Sequence, residues 1–242
     1  MNHRSTPALA TLLTALLVAL AGVLGAPAEA RADSPISGVT EFKLGGYYPA
    51  IDDEFGGSGP FGQYFGADNL WYFETEWDVY LWDRFGKLGL GFHLGWSSVD
   101  GNVRDDAGAA LPGETTFRVI PLRLSAVYRY DYSAIHHNIP LVPVLKLGLD
   151  YVLWRAKDSA GDTSSAGGLN AVGGTAGFHG ALGLHFLLDV IDPASAAYLD
   201  LSWGVNNSYL FAEYMVTKID DFGGASLDLS DNMLLFGLAF EF

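Results

Sequence analysis

The sequence predicts an all-β protein, an eight-stranded antiparallel up-and-down transmembrane β-barrel preceded by a signal peptide. Three observations lead there. Apolar residues recur at every second place through eight separate stretches, the period of a strand. Beyond the N-terminal segment no apolar run reaches the roughly 18 residues that a membrane-spanning helix requires. The chain is also 50% hydrophobic and 14% aromatic, yet it carries a formal net charge of −15 and 30 glycines. Its apolar side chains must therefore share every strand with polar or very small ones.

The first residues read as a leader rather than as part of the fold. Arg4 makes a short basic start, Leu9 to Leu24 an apolar centre, and "AEA" and "ARA" (Ala28 to Ala32) fit an A-x-A cleavage site. We expect a signal peptide over 1–32 and a barrel domain over 33–242. Cleavage there removes Arg4, Arg31 and Glu29, leaving 210 residues with 11 basic and 27 acidic side chains, a formal net of −16. That length suits one domain, and that charge argues against a nucleic-acid partner. With no Cys in the chain, disulfides, thiolate metal sites, Cys nucleophiles and a lipidated Cys are all excluded.

The strands follow in order. "EFKLGGYY" sets Phe42, Leu44 and Tyr48 against Glu41 and Lys43. "WYFETEWDVYLW" sets Trp71, Phe73, Trp77, Val79 and Leu81 against Glu74, Glu76, Asp78 and Tyr80. In "KLGLGFHLGWSS" Leu88, Leu90, Phe92, Leu94 and Trp96 oppose Gly89, Gly91, His93, Gly95 and Ser97. "PLRLSAVYRY" opposes Leu122 and Leu124 to Arg123, Ser125 and Arg129. "PVLKLGLDYVLW" opposes Leu145, Leu147 and Leu149 to Lys146, Gly148 and Asp150. "GFHGALGLHFLLD" opposes Phe178, Leu182 and Leu184 to His179, Gly183 and His185. "YLDLSWGVN" opposes Leu199, Leu201 and Trp203 to Asp200 and Ser202. The terminal "NMLLFGLAFEF" places Leu234, Phe236, Leu238, Phe240 and Phe242 on one face. Two apparent parity changes, one at Pro121 and one between Leu229 and Leu234, point to a bulge and to a last strand starting near Asn232.

The connections between these stretches alternate long and short: 49–69, 83–86, 98–115, 131–140, 155–172, 190–197 and 212–229. One end then carries long Gly-, Ser- and Asp-rich loops, and the other carries tight turns and both termini. That asymmetry with an even strand count marks a Gram-negative outer-membrane barrel. A soluble sandwich also alternates, but its solvent face prefers long polar side chains, and glycine weakens such strands. Here the second face holds Gly, Ser and mixed charge, which suits a narrow lumen. Aromatics collect near strand ends as two girdles: Tyr47, Tyr48, Trp71, Tyr72, Trp96, Trp154, Tyr209 and Phe211 at the loop end, and Trp82, Phe85, Tyr130, Tyr132, Tyr198 and Phe242 at the turn end.

Within a bilayer every backbone polar group must be paired, so the sheet must close, and eight strands leave an interior just filled by side chains. The inward residues Glu41, Lys43, Glu74, Glu76, Asp78, His93, Arg123, Arg129, Lys146, Asp150, His179 and His185 should thus form a paired lumen network. Glu74 or Glu76 is expected to meet Arg123 or Arg129.

The segments "IPLRLSAVYRYDY", "IDPASAAYLDLSWGVNNSYLFAEY" and "LDLSDNMLLFGLAFEF" resemble a myxobacterial family of uncharacterised outer-membrane barrels, and more distantly OmpA-, OmpX- and OmpW-type barrels. The last is similar to the C-terminal aromatic signal read by the barrel-assembly machinery, with Phe236, Leu238, Phe240 and Phe242 at alternate places. The resemblance implies an outer-membrane location, and it brings no catalytic residues and no cofactor.

No phosphate loop, zinc spacing or basic stripe appears. An enzyme acting on lipid A or phospholipid would need a Ser–His–acid group, and the candidates are His93, Ser97 and Asp100. His93 and Ser97 stand four residues apart on one strand, about 13 Å, too far for a hydrogen bond. His136 and His137 fall in a turn on the opposite side. The acidic groups Asp52, Asp53 and Glu54, Asp105 and Asp106, and Asp220 and Asp221 lack calcium-loop spacing and read as solvated loops. The expectation is a monomeric, non-enzymatic protein without a cofactor, with outer-membrane lipid, lipopolysaccharide and the assembly machinery as partners. Its role would be structural or surface interaction through four long loops. The alternative is an OmpW-like, porin-like carrier of small apolar compounds, which would need an apolar lumen on the loop side.

Overall fold

A computed structural model describes residues 36–56, 59–66, 70–104, 110–157, 162–163, 165–166, 169–224 and 226–242. The expected signal peptide, Asp105 and Asp106 lie outside these residues. Eight antiparallel strands close into a barrel. They are β1 (Gly38–Tyr47), β2 (Leu70–Arg84), β3 (Gly86–Arg104), β4 (Ala110–Arg129), β5 (Leu141–Lys157), β6 (Val172–Leu187), β7 (Asn207–Lys218) and β8 (Asp231–Glu241). Each pairs with the next in sequence, and β8 pairs with β1 from Val39 opposite Glu241 to Gly45 opposite Leu235. The seam is sealed further where the Ser37 N–H donates to the Phe242 carbonyl at 2.6 Å and the Phe242 N–H donates to the Gly38 carbonyl at 2.9 Å. Among the described residues no helix is long and apolar enough to cross a membrane.

The alternation decides which side chains face out. Leu147, Leu149 and Leu182 are 60, 63 and 62% exposed, whereas Glu74, Glu76 and His93 are 0% exposed. A water-soluble chain partitions the other way, and an apolar outer wall around a charged interior is the partition a lipid-spanning barrel needs. Two strands depart from the expected plan. "YLDLSWG" is not a strand. It belongs to helix α3 (Pro193–Trp203), and the seventh strand is "NSYLFAEYMVTK" just after it. Asp192 caps the helix by accepting from the Ser195 N–H, Pro193 occupies its first turn, and Gly204 ends it at φ 68°, the usual start and stop chemistry of a helix. Those end signals outweigh a short run of alternation.

The second departure concerns Pro121. Strand β4 holds one register against β5 from Thr116 opposite Lys157 to Arg129 opposite Val144, so no bulge occurs there. Phe117 and Val119 simply point inward, at 4 and 0% exposure. Pro121, lacking an N–H, instead leaves a gap in the β3–β4 ladder between Leu94–Leu122 and Ser97–Val119. Register shifts lie instead between Tyr80 and Trp82 of β2 and between Asn102 and Arg104 of β3.

Connection lengths are also less regular than the sequence suggests. Phe85 alone joins β2 to β3, but residues 188–206, at the turn end, include all of α3. The expected loop 98–115 is largely strand, because β3 and β4 run 19 and 20 residues. Residues 130–140, also at the turn end, hold a short helix α2 (Tyr132–His137). The girdles are corrected in the same way. Trp71 and Trp96 do face outward, but Tyr47 and Tyr72 are buried inside, and Tyr209 and Phe211 are buried at the turn end because β7 starts there.

Candidate functional site

The middle of the lumen is a lattice of charge supplied by seven strands. β1 brings Glu41 and Lys43, β2 brings Glu74, Glu76 and Asp78, and β3 brings His93. β4 brings Arg123, Ser125 and Arg129, β5 Lys146 and Asp150, β6 His179 and His185, and β7 Glu213. All are buried. Glycines on the same face make the room. A Cβ on Gly91 would stand 2.5 Å from Asp78 Oδ1, and one on Gly148 would stand 2.6 Å from His179 Cε1, so neither position can carry a side chain without moving a network member.

Two lysines bind the carboxylates together. Lys43 Nζ reaches Glu213 at 2.8 Å and Glu74 at 3.1 Å. Lys146 Nζ reaches Glu41 and Glu76 at 2.6 Å and Glu213 at 2.9 Å. Arg123 pairs with Glu74 and Arg129 with Glu41, so of the pairings expected between Glu74 or Glu76 and Arg123 or Arg129, Glu74 with Arg123 is present. Arg123 also lies over the Tyr72 ring and Arg129 over the Tyr209 ring. His185 Nδ1 accepts from Arg129 at 3.4 Å, while the imidazole stacks on Phe211 with centroids 4.4 Å apart. His179 holds Asp150 through Nδ1. Buried charges are tolerated only when paired and hydrogen-bonded, and the sharing of Lys43 and Lys146 among several carboxylates meets that condition for Glu41, Glu74, Glu76 and Glu213.

Apolar layers close the lattice on both sides. At the loop end Tyr47, Tyr72, Phe117, Val152, Met215 and Met233 fill the lumen. The β1–β2 loop folds over them. Its helix α1 (Pro60–Phe65) sets Phe61 against Phe117, ring centroids 5.6 Å apart, and against Tyr48 at 5.5 Å. Asp52 locks this cap by accepting from the N–H groups of Phe61 at 2.8 Å and Gly62 at 2.7 Å. At the turn end Val127, Val142, Val144, Tyr209, Phe211 and Ala239 form the second layer. Beneath it Lys87 pairs with Glu241 at 2.7 Å and Asp131 at 2.8 Å.

Among the described residues, two groups have metal-ligating chemistry at suitable spacing: Glu74, Glu76 and His93, and Glu41, Glu76 and Asp78. The ammonium groups of Lys43 and Lys146 already stand among these carboxylates, which is the arrangement of a salt-bridge lattice. The acid–His–Ser candidates of the sequence do not come together. Ser97 Oγ donates to the Trp71 carbonyl at 2.9 Å, and Asp100 accepts from Thr116 at 2.7 Å. His93 instead lies between Glu74, at 3.0 Å from Nδ1, and Ser125 Oγ on Nε2. That chain is sealed inside the lattice, with Ser125 only 1% exposed.

All twelve residues expected in the lumen network are therefore inside, and eleven contact one another through ion pairs, hydrogen bonds or ring contacts, while Asp78 lies in the carboxylate group with Glu41 and Glu76. Sequence reading missed Glu213, because the seventh strand was set nine residues early. It also missed Lys87 and Asp131, which lie at strand ends where alternation gives no signal. The terminal residues Phe236, Leu238 and Phe242 face outward at 55, 43 and 38% exposure, and Phe240 packs edge-on against Phe42 with centroids 6.4 Å apart.

No family model matches the chain, and no curated protein does either. Among solved structures, Ail, the attachment invasion locus protein of Yersinia pestis, in complex with the heparin analogue sucrose octasulfate, is 12% identical with a TM-score of 0.41 over 86% of this chain and 100% of that one. Neisserial surface protein A is 12% identical with a TM-score of 0.41, covering 86% and 95%. The outer membrane protein OprG from Pseudomonas aeruginosa is 11% identical with a TM-score of 0.49, covering 86% and 96%.

Proposed function

We propose that this protein is an integral barrel of a Gram-negative outer membrane whose role is structural or surface interaction, carried by its loop end. The observation that supports this reading best is the filled lumen. An apolar layer, a charged lattice and a second apolar layer leave the interior to side chains, and the β1–β2 loop caps the mouth. In this reading the outer wall contacts outer-membrane lipid and lipopolysaccharide, and the chain works as a monomer. The face of β8 from Phe236 to Phe242 serves as the signal for the barrel-assembly machinery. The resemblance of the three quoted segments supports a kinship with uncharacterised myxobacterial barrels. Planar-bilayer recording tests the core of the idea: the reconstituted protein is expected to give no steady ionic conductance. Stable open channels would sink it.

One observation favours carriage of small apolar compounds as a second reading. The loop-end lumen is apolar, as such a carrier needs, and the β3–β4 ladder is interrupted beside it at Pro121. Uptake of an apolar dye by proteoliposomes, lost when Phe61 is replaced by Trp but gained when α1 is deleted, would favour carriage over the sealed barrel. A catalytic role would have to use Glu74, His93 and Ser125 inside the lattice. We read that chain as structural, and expect lipid A from expressing cells to keep its mass whether position 125 is Ser or Ala.

A further inference from the structure

We propose that the outer wall at the loop end of β4–β6 binds the phosphate headgroup of an anionic lipid of the outer leaflet. This rests on the membrane-barrel reading above and extends it to one site. Arg118 on β4 stands directly opposite Arg155 on β5, and Lys157 stands opposite Thr116 one step further out. Facing like charges destabilise a sheet, so this arrangement calls for an anion. Of the 11 basic residues in 33–242, five are consumed in the lumen: Lys43, Lys87, Arg123, Arg129 and Lys146. Three of the remaining six meet here, on a chain that is otherwise strongly acidic.

The three cations line the upper part of a wall groove of about 320 Å³ together with Val172, which stands opposite Arg155, and Ile120 and Leu153 line the lower part. Gly173, opposite Trp154, also lines it. Arg155 donates to Thr163 Oγ1, and Lys157 bridges to Thr163 through the backbone, which steadies both strands at this height. Asp100, held by the Thr116 hydroxyl, borders the groove on the β3 side, and Asp162 adjoins Thr163 in the chain. Directly below, the outward column continues as Tyr151 and Leu149, 44 and 63% exposed. Cations thus sit one strand step, about 7 Å, above the apolar belt. A free anion would use only the upper part. A phosphorylated lipid would use both, its headgroup on the arginines and its acyl chains along Leu153 and Leu149.

The test uses the full barrel refolded in detergent, with heat-shifted gel mobility confirming closure of every variant. Bisphosphorylated lipid A is titrated and the bound fraction read by native mass spectrometry. Wild type should retain one lipid A. Arg155→Gln should weaken retention about fivefold, and the triple variant Arg118→Gln, Arg155→Gln, Lys157→Gln about a hundredfold, from roughly 1 kcal/mol per interfacial cation. Arg84→Gln, at the turn end, should leave it unchanged, and lipid A without its phosphates should bind the wild type no better than the triple variant. Equal retention by wild type and triple variant overturns the proposal. So does displacement of lipid A by millimolar inorganic phosphate, which would mark a free-anion site. If the wild type shows no heat-shifted mobility, the barrel reading fails first, and the two failures are told apart.

Discussion

At the scale of single residues, what matters is how many partners a buried charge holds. Lys146 neutralises Glu41, Glu76 and Glu213 at once. Replacing it with Met leaves three buried carboxylates short of a cation, and we expect a loss of about 3–5 kcal/mol in urea unfolding from lipid vesicles. Lys218 makes a comparable-looking pair with Asp220 and Asp228, but its side chain is 47% exposed. Lys218→Ala should cost about 0–1 kcal/mol. Equal costs for the two substitutions would show that the lattice is hydrated and not sealed. Asp52 works on the backbone instead, holding the first turn of α1 through two N–H groups. Asp52→Ala should release the cap locally, at about 1 kcal/mol, and deuterium exchange at Phe61 and Gly62 should rise while exchange across the barrel strands stays unchanged.

Elements show where reading from sequence succeeded and where it failed. Strands β2, β3 and β5 were legible because each offers a long alternating run with charge or glycine on one face. The seventh strand was not, because "NSYLFAEYMVTK" mixes polar and apolar residues on its inward face: Tyr209 and Phe211 join an aromatic layer, Glu213 the lattice, and Met215 the loop-end plug. A barrel lumen built in layers breaks the simple rule that inward means polar. The same layering made Phe117 and Val119 look out of phase, although the strand never changes register. The helix α3 was read as a strand because "YLDLSWG" alternates, although its end signals, Asp192–Pro193 and Gly204, stand in the sequence. Hydrogen bonds from Ser195 hold the exposed Asp192 carboxyl below its usual range, so the cap is complete above the ordinary aspartate range and is lost as pH falls below it. Amide protection in the first turn of α3, taken relative to the intrinsic exchange rate at each pH, should therefore fall on acidification through that window, and Asp192→Asn should flatten the response. Protection that does not change with pH would rule the cap out.

For the whole molecule the decisive feature is closure. β8 joins β1 along seven residue pairs, and the Phe242 backbone adds bonds on both sides of Ser37 and Gly38. Deleting Phe242 removes those bonds together with the ring, whereas Phe242→Ala removes the ring alone. If the ring serves assembly, Phe242→Ala should insert poorly in cells yet unfold near the wild-type urea midpoint once refolded in vitro. Normal insertion would set that role aside. By itself the sequence determined the strand period, the all-β class, the inward set of charges and the apolar wall, because side-chain parity on a strand is a local property of the backbone. Only the tertiary structure decided the partners. Which lysine serves which glutamate, that Arg118 faces Arg155, and that a loop fills the mouth all depend on register and on contacts between residues up to 205 positions apart. Neither propensity nor period carries that information, since pairing is settled only when the sheet closes and each buried group must find a partner.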